Sequence, residues 1–300
     1  MRRIASLLIP AFAILAFAAF PGISSARAED PPFPNPGLTG VPELTDGFRL
    51  LYTQHFPEAR STFSSWADAH PTEPFPQAAI AASYLFEEFY RQGVLTSDFF
   101  LNERRFLKGI EGKPDPERMR NFRAALTSAR VLAKTRLSEH HKDPEALFAL
   151  AISAGMESNA DSILEKKQLD ALKLIKEANQ DAKELLAQRP DALDAFVALG
   201  CANYIIGSLS GATRFMLWFG NIHGDKRLGM EQMQNAADNG RYLKPFAKIL
   251  LALAARREKQ NPLAEKLLRE LTEEFPTSDL FASEYAKVMG RPIPAEMHPN

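Results

Sequence analysis

The stretch AEKLLRELTEEFP, residues 264–276, has the residue spacing from which the fold class is predicted. Ala264, Leu268 and Leu271 follow one another at steps of four and three residues, which places them on one face of an α-helix. Pro276 comes five residues after Leu271, just past the end of that helix, where its ring prevents the helix from continuing. The stretch therefore predicts an amphipathic helix that buries one face and stops before the proline.

The same spacing occurs twice more in the chain. Both further copies carry apolar groups at steps of four and three and a proline after five: Ala59, Phe63, Trp66 and Pro71, then Ala178, Ala182, Leu185 and Pro190. A recurring helix of this kind indicates a repeat architecture, in which each unit buries its apolar face against its neighbours. Strand-like alternation of Val, Ile and Thr is absent from the sequence, so we predict an all-α fold.

Small residues stand at a fixed distance before two of these prolines. Gly47 and Ala252 each lie twenty-four residues before the proline, where a small side chain lets the first helix of a pair approach the second. Together with the spacing in the second helix, this pattern resembles the tetratricopeptide repeat (TPR). The resemblance implies a right-handed α-solenoid of TPR-like helix pairs.

Two further stretches carry a resemblance to the same family. Phe196-x2-Leu199-Gly200 resembles the opening motif of the repeat, although Tyr204 lies one residue later than the motif places its tyrosine. Residues 224–229, GDKRLG, followed by an amphipathic helix, are similar to a diverged TPR branch, the tetratricopeptide repeat 39 and yeast inclusion-clearance group.

The repeats predict the organisation of residues 43–290, followed by a tail at 291–300. The second and third units are longer than a regular repeat, and the aromatic-rich stretch 86–117 is expected to pack as an extra helical insertion. We expect five units and a closing helix, at residues 40–71, 74–144, 145–190, 192–240, 242–276 and 279–289.

The N-terminus has the pattern of a secretory signal peptide. Basic residues precede an apolar stretch from Ile4 to Phe20, and small residues end at Ala28, where cleavage is expected. A retained membrane anchor is the alternative, but the apolar stretch is shorter than the roughly 20 residues of a spanning helix. The prolines and glycines of residues 29–42 predict an extended, mobile leader without helix. We therefore expect a periplasmic or secreted protein.

Charge and cysteine content exclude several classes of function. Loss of residues 1–28 moves the formal net charge from −1 to −4, and the sequence has no long basic run, which argues against nucleic-acid binding. Cys201 is the only cysteine, so no intramolecular disulfide forms. We interpret Cys201 as a small apolar group in a helix.

Motifs of catalysis and cofactor binding are absent from the sequence. The stretch GSLSG, residues 207–211, has the outer glycines of a nucleophile elbow, but Leu209 occupies the position of the serine. His140 and His141 are adjacent and would point about 100° apart on a helix, which makes them poor joint metal ligands. We predict no catalytic residues, no cofactor and no metal site.

The aromatic stretch FMLWF, residues 215–219, has two interpretations. It is either an exposed patch within residues 212–222 that contacts a partner or a membrane surface, or a buried segment between two helices. Burial is favoured, since a large exposed apolar surface promotes aggregation. If the stretch is exposed, Trp218 and Phe219 are candidates for partner binding.

The remaining candidate residues come from the resemblance. In TPR proteins the first helix of each pair lines a concave ligand groove, which makes Asn203, Tyr204, Lys248 and Arg256 candidates for partner binding. An ordinary surface role is the alternative for each. We therefore expect an exported scaffold that binds a protein or peptide through its concave surface, in cell-envelope assembly or transport. A peripheral membrane protein using residues 212–222 and an enzyme with an unrecognised all-α active site are the alternatives.

Overall fold

The computed structural model describes residues 36–208 and 223–292, and every regular element in these two ranges is helical. The all-α prediction is confirmed. A π-helical turn (Ala160–Leu164) follows α8, and a 3-10 turn (Leu193–Ala195) precedes α10. The helices in chain order are α1 (Pro36–Thr39), α2 (Pro42–Tyr52), α3 (Phe56–Ala69), α4 (Pro74–Arg91), α5 (Ser97–Leu101), α6 (Glu103–Lys108), α7 (Pro116–Glu139), α8 (Pro144–Asn159), α9 (Gln168–Gln188), α10 (Phe196–Ser208), α11 (Lys226–Asn239), α12 (Lys244–Arg257), α13 (Asn261–Glu274) and α14 (Asp279–Val288).

The longer helices pack in pairs: α2 with α3, α4 with α7, α8 with α9, α10 with α11, and α12 with α13. The residues of the repeated motif form the buried face of the second helix in three of these pairs. α3, α9 and α13 each end two residues before the motif proline. The buried motif residues are Ala59, Phe63, Ala178, Ala182, Leu185, Ala264, Leu268 and Leu271. The packing face predicted from the spacing is confirmed.

Gly47 marks the closest approach within the first helix pair. A Cβ atom at position 47 would lie 2.3 Å from the ring of Phe63, which is far below a normal contact distance. Both residues are buried. The small residue predicted at this position is therefore required by the ring on the facing helix.

The stretch between α4 and α7 contains the two short helices α5 and α6. α5 and α6 bring Phe99, Phe100 and Phe106 together, with ring centroids 5.3 Å apart for Phe99–Phe100 and 5.8 Å for Phe100–Phe106. Phe99 is buried in a cluster with residues of α4, α7 and α8. The insertion thus has its own apolar packing against the helix pairs.

The leader prediction is wrong for residues 36–42. Pro36 begins the short helix α1, and Pro42 is the first residue of α2. Proline is tolerated in the first turn of a helix because its missing N–H would have no partner inside the helix there. Leu38 is buried in the main core, which holds this segment in place. Residues 29–35 lie outside the described ranges.

The first and last helix pairs touch. The rings of Tyr52 in α2 and Phe275 after α13 have centroids 5.5 Å apart. Ser278 Oγ donates a hydrogen bond to Gln54 Oε1 at 3.1 Å. These contacts join residues more than 200 positions apart in the sequence, so the stack of helix pairs closes on itself.

Candidate functional site

Aromatic rings fill the inner side of the stack. Tyr242, in the turn before α12, stacks on Phe48 of α2 with centroids 5.0 Å apart and on Phe75 of α4 at 5.2 Å. Phe75 in turn stacks on Phe148 of α8 at 5.3 Å. All four side chains are buried. Three first helices, α2, α4 and α8, and the turn before α12 therefore meet in a packed aromatic centre.

The N-terminal segment, residues 37–41, lies against this centre. The Gly37 N–H donates to both carboxyl oxygens of Glu145, at 3.2 and 3.3 Å. A Cβ atom at position 37 would lie 2.8 Å from the ring of Phe75 and 3.0 Å from that of Phe148. Leu38 is 4% exposed. The segment thus contacts the N-terminal ends of α4 and α8 at a position that only glycine fits without displacement.

Residues 39–41 continue along the turn before α12. The Arg241 guanidinium donates to the carbonyl oxygen of Thr39, and the Val41 N–H donates to Tyr242 Oη at 2.7 Å. Both contacts are made to main-chain atoms of the segment. We name the surface that receives residues 37–41, formed by Phe75, Glu145, Phe148, Arg241 and Tyr242, the segment slot.

Buried charges surround Glu145. Arg136 pairs with Asp143, at 2.9 Å between Nη2 and Oδ2, and both side chains are almost fully buried. Glu73 accepts from Trp66 Nε1 at 2.7 Å, while its Oε1 has no hydrogen-bond partner among the described residues. Burial, with Glu73 and Asp143 adding to it, raises the pKa of Glu145 to about 8. Its carboxyl group is therefore mostly protonated at neutral pH.

Asp194 fixes the turn that carries Arg241 and Tyr242. Its carboxylate accepts from the backbone N–H of Arg241 at 2.7 Å and from that of Tyr242 at 3.0 Å. Burial raises the pKa of Asp194 to about 6, although these N–H groups favour its ionised form. The slot residues of this turn are thus held by a carboxylate that lies before α10.

A second surface is a cleft of about 500 Å³ between α11, α12 and α13. Its apolar residues are Met230, Leu251 and Leu263. Its polar residues are Lys226, Arg227, Glu231, Gln234, Glu258 and Gln260. Two ion pairs lie at the rim, because Lys226 contacts Glu258 at 2.8 Å and Arg227 contacts Glu231 at 2.7 Å. We name this surface the α11–α13 cleft.

Four of the predicted partner-binding residues lie in the described ranges, and the structure does not bring them together at one site. Tyr204 is buried and its hydroxyl contacts Glu258 Oε1 at 3.1 Å, which places it beside the rim of the cleft. Asn203 donates to Gln232 of α11 at 2.8 Å.

Lys248 and Arg256, both on α12, also have partners within the chain. Lys248 is 7% exposed, and its Nζ contacts Glu270 and Glu274 of α13. Arg256 contacts Ser97 and Glu284. Of the four residues, Tyr204 is the one in direct contact with a residue that lines the cleft. Trp218, Phe219 and the whole stretch 212–222 lie outside the described residues.

The described ranges contain neither a metal site nor a membrane-spanning helix. Within residues 36–208 and 223–292, no group of three or more His, Cys, Asp or Glu side chains has the arrangement of a metal site. No helix in the same ranges combines the length and apolar character needed to cross a membrane.

Neither family models, nor curated proteins, nor solved structures match this chain in comparison.

The sequence did not point to the slot or the cleft. Glu145 follows Asp143-Pro144, which is a typical helix start, and Gly37 stands among prolines that suggested a loop. Met230 and Leu263 follow the helical spacing of ordinary core residues. Their position in an open cleft depends on how α11 and α13 are set apart, which spacing within one helix does not reveal.

Proposed function

We propose that this protein is an exported TPR-like scaffold, a right-handed solenoid of helix pairs, that binds a peptide segment of a protein partner. In this proposal the chain is not an enzyme, and binding needs neither cofactor nor metal. It acts in the periplasm or outside the cell, in envelope assembly or transport. The observation that carries the proposal is the α11–α13 cleft.

The cleft has the character of a peptide site. Met230, Leu251 and Leu263 offer an apolar floor, and charged and amide groups surround it. Pockets of this kind bury an apolar anchor, while polar groups at the edge fix its orientation. Met230 has a flexible side chain that adapts to the shape of a bound group.

The packing of the inner side favours the cleft over a concave groove. Phe48, Phe75 and Tyr242 occupy the space between the first helices of the pairs. A partner would have to displace these buried rings to bind there. Among the residues that the structure describes, none fills the α11–α13 cleft, so binding there needs no such displacement.

The rim indicates the chemistry of the partner. Lys226 is paired with Glu258, and Arg227 with Glu231, so each cation already has an anion beside it. Such a rim gives little attraction to a strongly charged ligand. The partner segment that fits is an apolar side chain such as leucine or phenylalanine, flanked by polar residues, in an amphipathic helix or turn.

A site-specific cross-link tests this proposal. The chain spanning residues 29–300 receives a photo-reactive amino acid at Gln234 in the cleft, and a matched variant receives it at Val131, an exposed residue of α7. Both variants are exposed to envelope extract and irradiated. We expect a discrete protein adduct from position 234 and none of the same mass from position 131.

The double substitution Met230→Glu and Leu263→Glu provides the second arm. Two carboxylates on the apolar floor should reduce the adduct by at least about tenfold, which corresponds to about 1.4 kcal/mol of binding free energy. Identical adducts from both positions would contradict binding in the cleft. Recovery of lipid alone would favour the alternative of a peripheral membrane protein, which rests on residues 212–222.

A further inference from the structure

The slot that receives residues 37–41 has the features of a second peptide-binding site, already filled by the chain itself. We propose that the N-terminal segment is a displaceable internal ligand, and that a partner peptide presenting a glycine followed by a leucine-sized residue takes its place. This inference does not depend on the α11–α13 cleft, because the two surfaces share no residue.

The contacts to the segment are those of a bound peptide. Three of them involve main-chain atoms: the N–H of Gly37, the carbonyl of Thr39 and the N–H of Val41. Their partners are side chains of Glu145, Arg241 and Tyr242. Main-chain contacts of this kind supply affinity without demanding a particular side chain.

Selectivity comes from two positions. The rings of Phe75 and Phe148 leave no space for a Cβ atom at position 37, so the slot accepts glycine there. Leu38 lies in the apolar core, with 4% of its surface exposed. A competing peptide therefore needs a glycine, a following apolar residue of similar size, and free main-chain groups on both sides.

Attachment to α2 gives the internal segment an advantage over a free peptide. A tethered ligand competes at an effective concentration on the order of millimolar, so an equal free peptide binds only weakly while the segment is in place. A substitution that prevents docking of the segment should open the slot. This makes the inference testable in the full chain.

The substitution Gly37→Ala places a methyl group against Phe75 and Phe148. The matched control is Gly155→Ala in α8, where an added Cβ meets no atom within 4 Å. The probe is a fluorescent peptide of residues 36–41, PGLTGV, with blocked ends, and binding is followed by anisotropy. We expect the Gly37→Ala chain to bind it at least about tenfold more tightly than the wild-type and Gly155→Ala chains.

Two further measurements show whether the probe binds in the slot. A probe with alanine in place of the glycine that corresponds to Gly37 should lose binding to the Gly37→Ala chain. Adding Glu145→Ala to that chain should also remove binding, whereas adding Met230→Glu, which alters only the cleft, should leave it unchanged. Failure of the cleft cross-link and failure of this titration are therefore separate results.

Hydrogen exchange of the Gly37 and Val41 amides reports whether the segment is docked, since both are hydrogen-bond donors in the slot. For position 37 of the Gly37→Ala chain, the amide of the new residue is followed. If these amides remain protected there, Leu38→Asp replaces Gly37→Ala as the opening substitution and the same titration is repeated. Three results would overturn the inference. The first is equal binding of the probe to the substituted and wild-type chains, and the second is binding of the alanine probe. The third is no binding to a substituted chain whose amides at positions 37 and 41 exchange freely.

Discussion

At the scale of single residues, Glu145 couples protonation to folding. Its pKa is about 8 in the folded chain against an ordinary value of 4.5, so the folded state binds the proton more tightly than the unfolded state. A carboxyl group whose pKa is raised by folding contributes stability that is fully present below pH 4.5. This contribution is lost as the pH rises from 4.5 to about 8. Arg136 opposes the shift, while Glu73 and Asp143 add to it.

The substitution Glu145→Gln should therefore stabilise the chain increasingly with pH. Glutamine keeps an oxygen that accepts from Gly37 and carries no charge to bury. We expect the melting temperature of the variant, relative to wild type, to rise between pH 5 and pH 8.5. Glu273→Gln on an exposed part of α13 is the control. A difference in melting temperature that stays constant with pH would contradict the burial of a titrating Glu145.

Gly47 allows a second test at this scale. The substitution Gly47→Ala forces a methyl group into the ring of Phe63, and overpacking of this kind costs about 1 to 3 kcal/mol. Gly155→Ala should have no such cost, because alanine favours a helix more than glycine does. Urea unfolding of both variants measures the difference. Equal stabilities would show that α2 and α3 are not in contact at this point.

Spacing along the chain predicted such local contacts well. Gly47 and Phe63 belong to consecutive helices, so a periodic pattern carries information about both. The hydrogen bond from Val41 to Tyr242 joins residues 201 positions apart. The spacing of residues within one helix carries no information about a contact between residues so far apart in the sequence. The slot was therefore not predicted.

At the scale of the helices, α7 and α8 each begin with an aspartate N-cap. Asp143 caps α8 by accepting from the Ala146 N–H at 2.8 Å, and it also pairs with the buried Arg136. Asp115 caps α7 by accepting from the N–H groups of Glu117 and Arg118, in a more exposed setting. The two caps have similar local geometry and different surroundings.

Replacing each cap with alanine should separate the effect of helix capping from that of the buried ion pair with Arg136. Asp115→Ala should cost about 1 kcal/mol, the usual value of an N-cap. Asp143→Ala should cost more, about 3 to 5 kcal/mol, because it removes one member of the buried Arg136–Asp143 ion pair as well as the cap. Chemical denaturation gives both values. A similar small loss for both variants would mean that Arg136 reaches another anion or solvent in the folded chain.

The turn between α2 and the preceding segment shows where helix prediction from composition failed. The prolines at 36 and 42 predict a stretch without helix, yet both occupy first positions of helices. The N–H that proline lacks is unbonded in a first turn anyway. Proline therefore marks a helix start as readily as a break.

At the scale of the whole molecule, further contacts join the last helix to the insertion between α4 and α7. Ser97 of α5 donates its N–H to Glu284 of α14 at 3.1 Å, and Lys287 contacts Asp98 at 2.7 Å. An open solenoid has contacts between neighbouring units alone, so its ends unfold independently. In a closed stack, the first and last helix pairs should unfold together.

Phe275→Ala should reveal this coupling. The ring of Phe275 is buried and contacts both Tyr52 and Phe281, so its removal should cost about 3 to 5 kcal/mol. Hydrogen exchange should accelerate in α2 as well as in α13 and α14. Leu228→Ala, on an exposed position of α11, is the control. Faster exchange confined to α13 and α14 would indicate an open stack.

The first and last helix pairs meet at Tyr52–Phe275 and Gln54–Ser278, and the cleft and the slot are the proposed binding surfaces. A cross-link tests it directly. Cysteines replace Gln54 and Ser278, whose side chains lie 3.1 Å apart, in a chain carrying Cys201→Ala, and a short bismaleimide is added to dilute protein. The closed fold predicts rapid intramolecular cross-linking, seen as faster migration on a denaturing gel and absent from the single-cysteine chains. Full reaction of both cysteines with maleimide but no intramolecular product would contradict it.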